Sequence, residues 1–292
     1  MAVKLFTHTD LDGIGCAVVA MRLFDSVDAT FCDYNEIDSV VSEFVANGGL
    51  ADYDDIFITD ISVDEHVAKE IEDNYENNVQ LIDHHATAEW LNKYGWAYVK
   101  SEDSTGKTSG TSMLFEHLSI LTDDDESLRA FAETVRCYDT WEWKTRYDDD
   151  HPKRLNDLFY LIGRDKFISR FMVDPLPYFS AADEMLLEVN EAAIARYIDS
   201  KRDQITVKEI AGLPAGVVFA EQHQSELGHA LATERPDLDL IAMINPARSV
   251  SFRTAKDDVN LGEIAKSFGG GGHAKAAGAP VDGAKLIDQL FE

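Results

Sequence analysis

Short apolar runs alternate with longer amphipathic stretches through the first half of the chain. VKLFT (3–7) reads as a strand, and GIGCAVVAMRLF (13–24) as a helix with small residues near its start. ATFCDY (29–34) gives a second strand, followed by an amphipathic helix over 38–46. DIFITD (55–60) gives a third, and Val67, Ile71 and Tyr75 have helical spacing across 63–76. VQLID (79–83) and WAYVK (96–100) add a fourth and a fifth strand. Strands alternating with helices of this length predict an α/β fold, a doubly wound and mostly parallel sheet. From Thr108 the pattern turns helical, over 108–121, 126–138 and 154–172.

Pro175 and Pro177 interrupt the chain, and a long helix over 180–203 with few apolar anchors reads as a connector. Beyond it lies a smaller α/β unit. AGVVFAEQ (215–222), DLIAMINP (239–246) and SVSFRTA (249–255) read as strands, and LGEIAKSF (261–268) and AKLIDQLFE (284–292) as helices. The expected organisation is a first domain over 1–180, a helical linker over 181–205 and a second domain over 206–292.

Composition narrows the setting. A chain of 292 residues that is 45% hydrophobic can build a large core. No run approaches the ~18 apolar residues of a membrane span, and MAVKLFTHTD has no signal-peptide apolar region. Cys16, Cys32 and Cys137 form no CxxC pair, as expected of reduced thiols in a cytoplasm. The net charge of −28 argues against a stable complex with long nucleic acid, which needs basic groups on the phosphates. Most of the acidity reads as solvated surface, such as Asp123–Glu126 and Asp148–Asp150, which a salt-adapted host would favour. A minority of carboxylates is then left for cations.

That minority clusters at strand ends. KLFT runs into His8-Thr9-Asp10-Leu11-Asp12-Gly13, DIFI into Thr59-Asp60, and VQLI into Asp83-His84-His85. Burying an unpaired carboxylate is costly, so an apolar strand ending in such residues needs a base, water or a cation beside it. Ligands in open α/β sheets bind outside the carboxyl ends of the strands, so parallel strands bring the three clusters to one rim. In an extended segment His8, Asp10 and Asp12 share a side, and Gly13 permits a tight turn into the helix. Asp139 ends a helix carrying Phe131, Val135 and Tyr138 and adds a fourth position. Each residue alone is as well explained by capping or core packing; three strand ends together favour a metal site. The mixed oxygen and nitrogen donors suit Mn²⁺ or a similar divalent ion, and the lack of cysteine argues against structural zinc.

HTDLDG, ITD, DHH and the later YD resemble, in this order, the four motifs of DHH phosphoesterases. FGGGGHAKAAGAP (268–280) is similar to the glycine-rich signature of the DHHA1 domain that follows in that family. The HTDLDG spacing most resembles the NrnB-like oligoribonucleases. The resemblance implies a DHH domain joined by a helical linker to a smaller DHHA1 domain, and two metal ions, usually Mn²⁺, with Mg²⁺ or Co²⁺ as substitutes. Carried over by motif, His8, Asp10 and Asp60 would hold one ion. Asp12, Asp60, His84 and Asp139 would hold the other, with a shared water acidified for in-line attack on phosphorus. His84, His85 and Asp83 form the expected catalytic triplet. In it His84 is a ligand, His85 meets a phosphate oxygen, and Asp83 ligates or orients.

The second domain supplies a grip on the rest of the substrate. Gly269, Gly270, Gly271 and Gly272 allow close backbone approach, while His273, Lys275 and Arg253 add donors. Arg248 reads as a turn residue after Pro246. STGKTSGTS (104–112) contains a GKT but lacks the earlier glycine of a P-loop, so it reads as the start of a helix. Trp141 and Trp143 read as core.

The expected activity is a metal-dependent exonuclease releasing 5′-mononucleotides from short oligonucleotides, mainly very short RNA, with short DNA and dinucleotides as further substrates. The alternatives are a phosphatase or phosphodiesterase acting on 3′-phosphoadenosine 5′-phosphate or on linear or cyclic dinucleotides. A RecJ-like DNA exonuclease and an inactive nucleotide sensor rank lower. A homodimer is compatible with the sequence.

Overall fold

The structure, a computed structural model, describes residues 1–74, 78–119, 125–285 and 288. It divides into two units, Met1–Leu187 and Glu188–Glu292. The first is built on β1 (Ala2–Thr7), β2 (Ser26–Phe31), β3 (Asp55–Thr59), β4 (Val79–Asp83) and β5 (Ala97–Val99). All neighbours are parallel, in the order β2-β1-β3-β4-β5. Strand order reverses between β1 and β3, which opens a crevice at their carboxyl ends.

Alternating side chains of the strands feed two cores. One face packs Val3, Leu5 and Phe57 against α1 (Leu11–Leu23), α4 (Gly110–His117), α5 (Glu126–Asp139), α6 (His151–Ile162) and α7 (Arg164–Val173). The other packs Phe6, Ile56, Ile58 and Leu81 against α2 (Ile37–Ala46) and α3 (Glu65–Asn74). The doubly wound α/β class expected from the pattern is the one observed.

Several boundaries move for identifiable reasons. β2 ends at Phe31, so Cys32–Tyr34 belong to the following loop and not to a strand. The single helix expected over 154–172 is two, broken at Gly163 with φ +79°. Tyr75 and residues 120–124, including the end of the 108–121 helix and Asp123–Asp124, lie outside the described residues. So does most of the helix expected over 284–292.

α8 (Ala181–Arg202) is a continuous helix across the span read as a linker. In the second unit β6 (Thr206–Ile210), β7 (Leu213–Phe219), β8 (Leu240–Asn245), β9 (Ser249–Arg253), β10 (Gly271–Gly272) and β11 (Ala276–Pro280) form a mixed sheet. Its order is β10-β11-β9-β8-β7-β6, with only β7 and β8 parallel. α9 (Gln224–Glu234) covers one face through Leu227 and Leu231, and α10 (Leu261–Ser267) the other through Leu261 and Ala265. No helix among the described residues is long and apolar enough to cross a membrane.

Candidate metal centre and substrate-binding residues

The carboxyl ends of β1, β3 and β4 are neighbours, so residues 52 and 24 positions apart in sequence meet at one rim. His8, Asp10 and Asp60 offer donor atoms within 4.8 Å of one another, and so do Asp12, His84 and Asp139. His84 joins the groups: its Nε2 lies 3.2 Å from Asp60 Oδ1, 3.6 Å from Asp12 Oδ2 and 3.5 Å from Asp139 Oδ2.

Each acid is placed by its own local structure. Asp10 caps α1, accepting from the backbone N–H groups of Asp12 and Gly13 through Oδ1 at 3.1 Å. That leaves Oδ2 facing His8 Nδ1 at 3.0 Å. Gly13 is packed so closely under His8 that a Cβ there would stand 2.2 Å from the His8 carbonyl oxygen.

Asp12 is buried and held from across the fold. The N–H groups of Gly110 and Thr111 donate to its carboxylate at 2.6 and 2.9 Å, so the start of α4 serves as an anion-binding helix end. The Ser/Thr run that follows GKT therefore starts a helix, with Ser109 as its cap, and that helix holds Asp12. The loop before it folds back on Asp103 Oδ1, which accepts from Thr105 and Gly106.

Asp60 carries the strain of the site. It follows β3 in the left-handed region with φ +57°, a conformation stabilised here by its N–H bond to Ile82 O at 3.1 Å. A side chain at Gly110 would stand 2.5 Å from its Cβ. Burial, then the charges of Asp12 and Asp10, pushes its carboxyl well above the usual range. Burial, with Asp12 and Asp10 beside it, likewise pushes Asp139 up to about 8. Arg136 does not relieve Asp139, because its guanidinium bonds Glu133, Glu142 and the Lys107 carbonyl. Among the described residues no lysine or arginine pairs with any of these acids.

Asp83 is placed differently from the other carboxylates. It is fully buried, and its Oδ1 accepts from the N–H of His84 at 2.7 Å and from His85 Nδ1 at 2.7 Å, while Ser62 Oγ bonds Oδ2. Burial works against its charge, and the bond and charge of His85 with the Ser62 bond outweigh it and hold the carboxyl low. Its oxygens are occupied in shaping the turn and orienting His85.

Sequence reading missed Tyr34. The loop after β2, the strand beside β1, reaches the same rim, with Thr9 Oγ1 bonded to Asp33 Oδ1 at 2.7 Å. Tyr34 Oη lies 3.2 Å from His85 Nε2, and its ring centroid is 4.6 Å from that of His8. An aromatic residue just past a strand adjoining a motif strand is the available signal, and it was hidden by extending β2 too far.

The donor set fits divalent cations. His8 Nδ1 and Asp60 Oδ2 are buried without an aligned hydrogen-bond partner, in the midst of uncompensated carboxylates. Buried polar atoms without partners are rare, and a cation satisfies both at once.

In the second unit Arg253 ends β9 and lies over α9, with Nη1 donating to Phe252 O at 2.9 Å and Nη2 to Ser225 Oγ at 3.2 Å. It is cross-strand from Ala276, so it stands near the loop carrying His273 and Lys275. Gly271 and Gly272 form β10, which folds back on β11. His273 is exposed, and its N–H donates to Ala276 O at 2.8 Å. Lys275 is bonded to Asp257 at 2.7 Å. Arg248 closes a turn onto Asn245 O. The two tryptophans differ: Trp143 is buried, as expected, but Trp141 is 49% exposed with φ +64° and is not core. The positive φ turns it out of the helix end after Asp139.

The profile of the DHH family N-terminal domain matches residues 2–137, and that of the DHHA1 domain matches 187–292. The oligoribonuclease NrnB of Bacillus subtilis is 37% identical over 99% of this chain and 74% of its own length. RecJ of Thermus thermophilus, solved in complex with Mn²⁺, superposes with a TM-score of 0.54 at 15% identity, over 99% of this chain and 51% of that one. The pGpG-specific phosphodiesterase PggH of Vibrio cholerae superposes with a TM-score of 0.51 at 14% identity, over 99% and 97%. At these identities the two structures bear on the fold alone.

Proposed function

This chain belongs to the DHH family and is a hydrolytic phosphoesterase; from that premise we propose that it is a Mn²⁺-dependent exonuclease releasing 5′-mononucleotides from very short RNA. The observation that carries the reading is the place of Asp60 between His8 and Asp10 on one side and His84, 3.2 Å away, on the other, with its Oδ2 buried and lacking an aligned hydrogen-bond partner. His8, Asp10 and Asp60 would hold one cation, and Asp12, Asp60, His84 and Asp139 a second. Bound there, the pair would supply an acidified water and offset the charge on the phosphoryl oxygens.

The residues do the positioning. The α4 N–H groups fix the Asp12 carboxylate, leaving its outward lone pairs for ligation. Asp83 holds the His85 ring by Nδ1, which fixes the ring beside His84 at the rim with Nε2 turned toward the Tyr34 loop. Arg253, His273, Lys275 and the Gly269–Gly272 segment would bind the remainder of the nucleotide. The 37% identity to an oligoribonuclease supports short RNA as substrate. The net charge of −28 supports it too, because it disfavours affinity gained along an extended basic track.

A Mn²⁺-supplemented panel tests this. It comprises labelled RNA and DNA from dimers to decamers, 3′-phosphoadenosine 5′-phosphate, cyclic mono- and dinucleotides, and pyrophosphate. The expected result is turnover of the shortest RNAs to 5′-mononucleotides, abolished by a chelator and restored by Mn²⁺. Hydrolysis of pyrophosphate alone would sink the reading.

A further inference from the structure

We propose that Tyr34 is a positioning residue for His85, gripping the outward ring nitrogen of that histidine at the mouth of the carboxylate cluster. The proposal rests on the phosphoesterase reading above and assigns a role to a loop that reading does not use.

His85 has two ring nitrogens, and the structure accounts for both. Nδ1 lies 2.7 Å from Asp83 Oδ1, a buried carboxylate that can only accept, so the ring proton sits on Nδ1. Tyr34 Oη, which can donate or accept, stands 3.2 Å from the other ring nitrogen, Nε2. The result is a chain from Ser62 and Asp83 through His85 to Tyr34.

Two further contacts hold the phenol in place. Its ring lies tilted against His8, with centroids 4.6 Å apart, and edge-on to His85 at 6.0 Å. Its loop is tied to the first motif through Asp33 and Thr9 and closed on itself by Asp33 N–H to Glu36 Oε2 at 3.1 Å. Yet Tyr34 is 58% exposed. A tyrosine this exposed has water for its hydroxyl, so an inward bond to His85 is not needed to satisfy it. The bond serves the histidine: held at Nδ1 alone, the ring can swing about that contact, and held at both nitrogens it has one orientation.

The competing account is that Tyr34 only packs on His8. Tyr34→Phe separates the two because it keeps the ring and removes the hydroxyl. Four proteins are compared: wild type, Tyr34→Phe, His85→Ala and the double variant, on a ribodinucleotide with Mn²⁺. Positioning predicts that Tyr34→Phe lowers kcat about fivefold with KM little changed, the worth of one oriented hydrogen bond. It also predicts no further loss when His85 is already alanine. In the ion-free protein the ¹⁵N resonance of His85 Nε2 should move from its wild-type position in Tyr34→Phe. An equal loss in both backgrounds, or an unmoved resonance, overturns the proposal. Failure of the wild type to cleave any nucleotide would count against the phosphoesterase reading instead, and the resonance still decides the contact with His85.

Discussion

The strand-end rim of the first unit and the glycine hairpin of the second carry their chemistry in opposite ways. At the rim the functional groups are sunk into the protein: Asp12, Asp60 and Asp83 are nearly inaccessible, and Asp60 is held in a left-handed conformation. In the hairpin His273 and Lys275 are exposed, and the close contacts are between backbones. A Cβ at Gly270 would stand 2.0 Å from the Gly278 carbonyl oxygen, and one at Gly272 2.6 Å from Ala277 Cα. The rim thus stores electrostatic stress between close carboxylates, which a bound cation would relieve, whereas the hairpin stores only tight packing. Mutations in the two regions should accordingly differ in kind as well as in size.

The largest effect is expected where the stress is greatest. Asp60→Asn should lower turnover by at least about a thousandfold, because Asp60 is the residue proposed to bridge the two cations. The same change should raise the melting temperature of the ion-free protein near neutral pH, since it removes a buried carboxyl that folding forces to take up a proton beside Asp10 and Asp12. Loss of turnover with a lowered melting temperature would mean that the carboxylate is structural.

The titration of the ion-free protein follows from the same stress. Asp60 is pushed well up and Asp139 to about 8, so the folded state keeps protons that the unfolded chain has released. Stability from these two groups is therefore greatest in acid and falls as pH rises from the ordinary aspartate range toward about 8. Asp10 and Asp83, held low, act with the opposite sign and only below the ordinary aspartate range. Thermal melting against pH with a chelator should show the alkaline fall, and Mn²⁺ should flatten it by replacing the protons. A flat curve without metal would place these carboxylates in contact with water.

Asp83 tests whether the rim is uniform. Its oxygens are occupied by His84 N–H, His85 and Ser62, so Asp83→Asn should cost about 10–100-fold in turnover through loss of His85 orientation. Calorimetric Mn²⁺ affinity should fall far more in His84→Ala than in this variant. Equal falls would make Asp83 a ligand.

The same contrast explains what could be read from the chain. His8, Asp10, Asp60 and His84 were legible because parallel strands force their carboxyl ends together, whatever lies between them. The bond from Gly110 N–H to Asp12 was not, because the partners are 98 residues apart and helix packing alone brings them together. Tyr34 was hidden by a boundary, since CDY continues the apolar run of β2 although the chain turns at Cys32. Gly163 divides a helix that periodicity alone joined. In the second unit α9 was missed: SELGHALA places few strong apolar residues, and Gly228 is needed where Arg253 Cγ would meet a Cβ at 2.5 Å.

The smallest effect decides what the hairpin is for. Gly270→Ala forces a carbon against the Gly278 carbonyl and should destabilise the second unit by about 1–3 kcal/mol, read as a lower urea midpoint. Any loss of activity there is ambiguous, because the hairpin itself moves. Gly271 is the informative neighbour. It pairs with Gly278 across the hairpin, has no atom within 4 Å of where a Cβ would stand, and is exposed. Gly271→Ala should leave stability within about 0.5 kcal/mol of wild type. If a nucleotide approaches the Gly271 backbone, the added methyl meets it, and KM for a ribodinucleotide rises while kcat stays nearly constant. An unchanged KM would leave the glycines with packing alone, and the grip would fall to Arg253 and His273. The same methyl group is therefore silent in the folded protein and legible only in the complex.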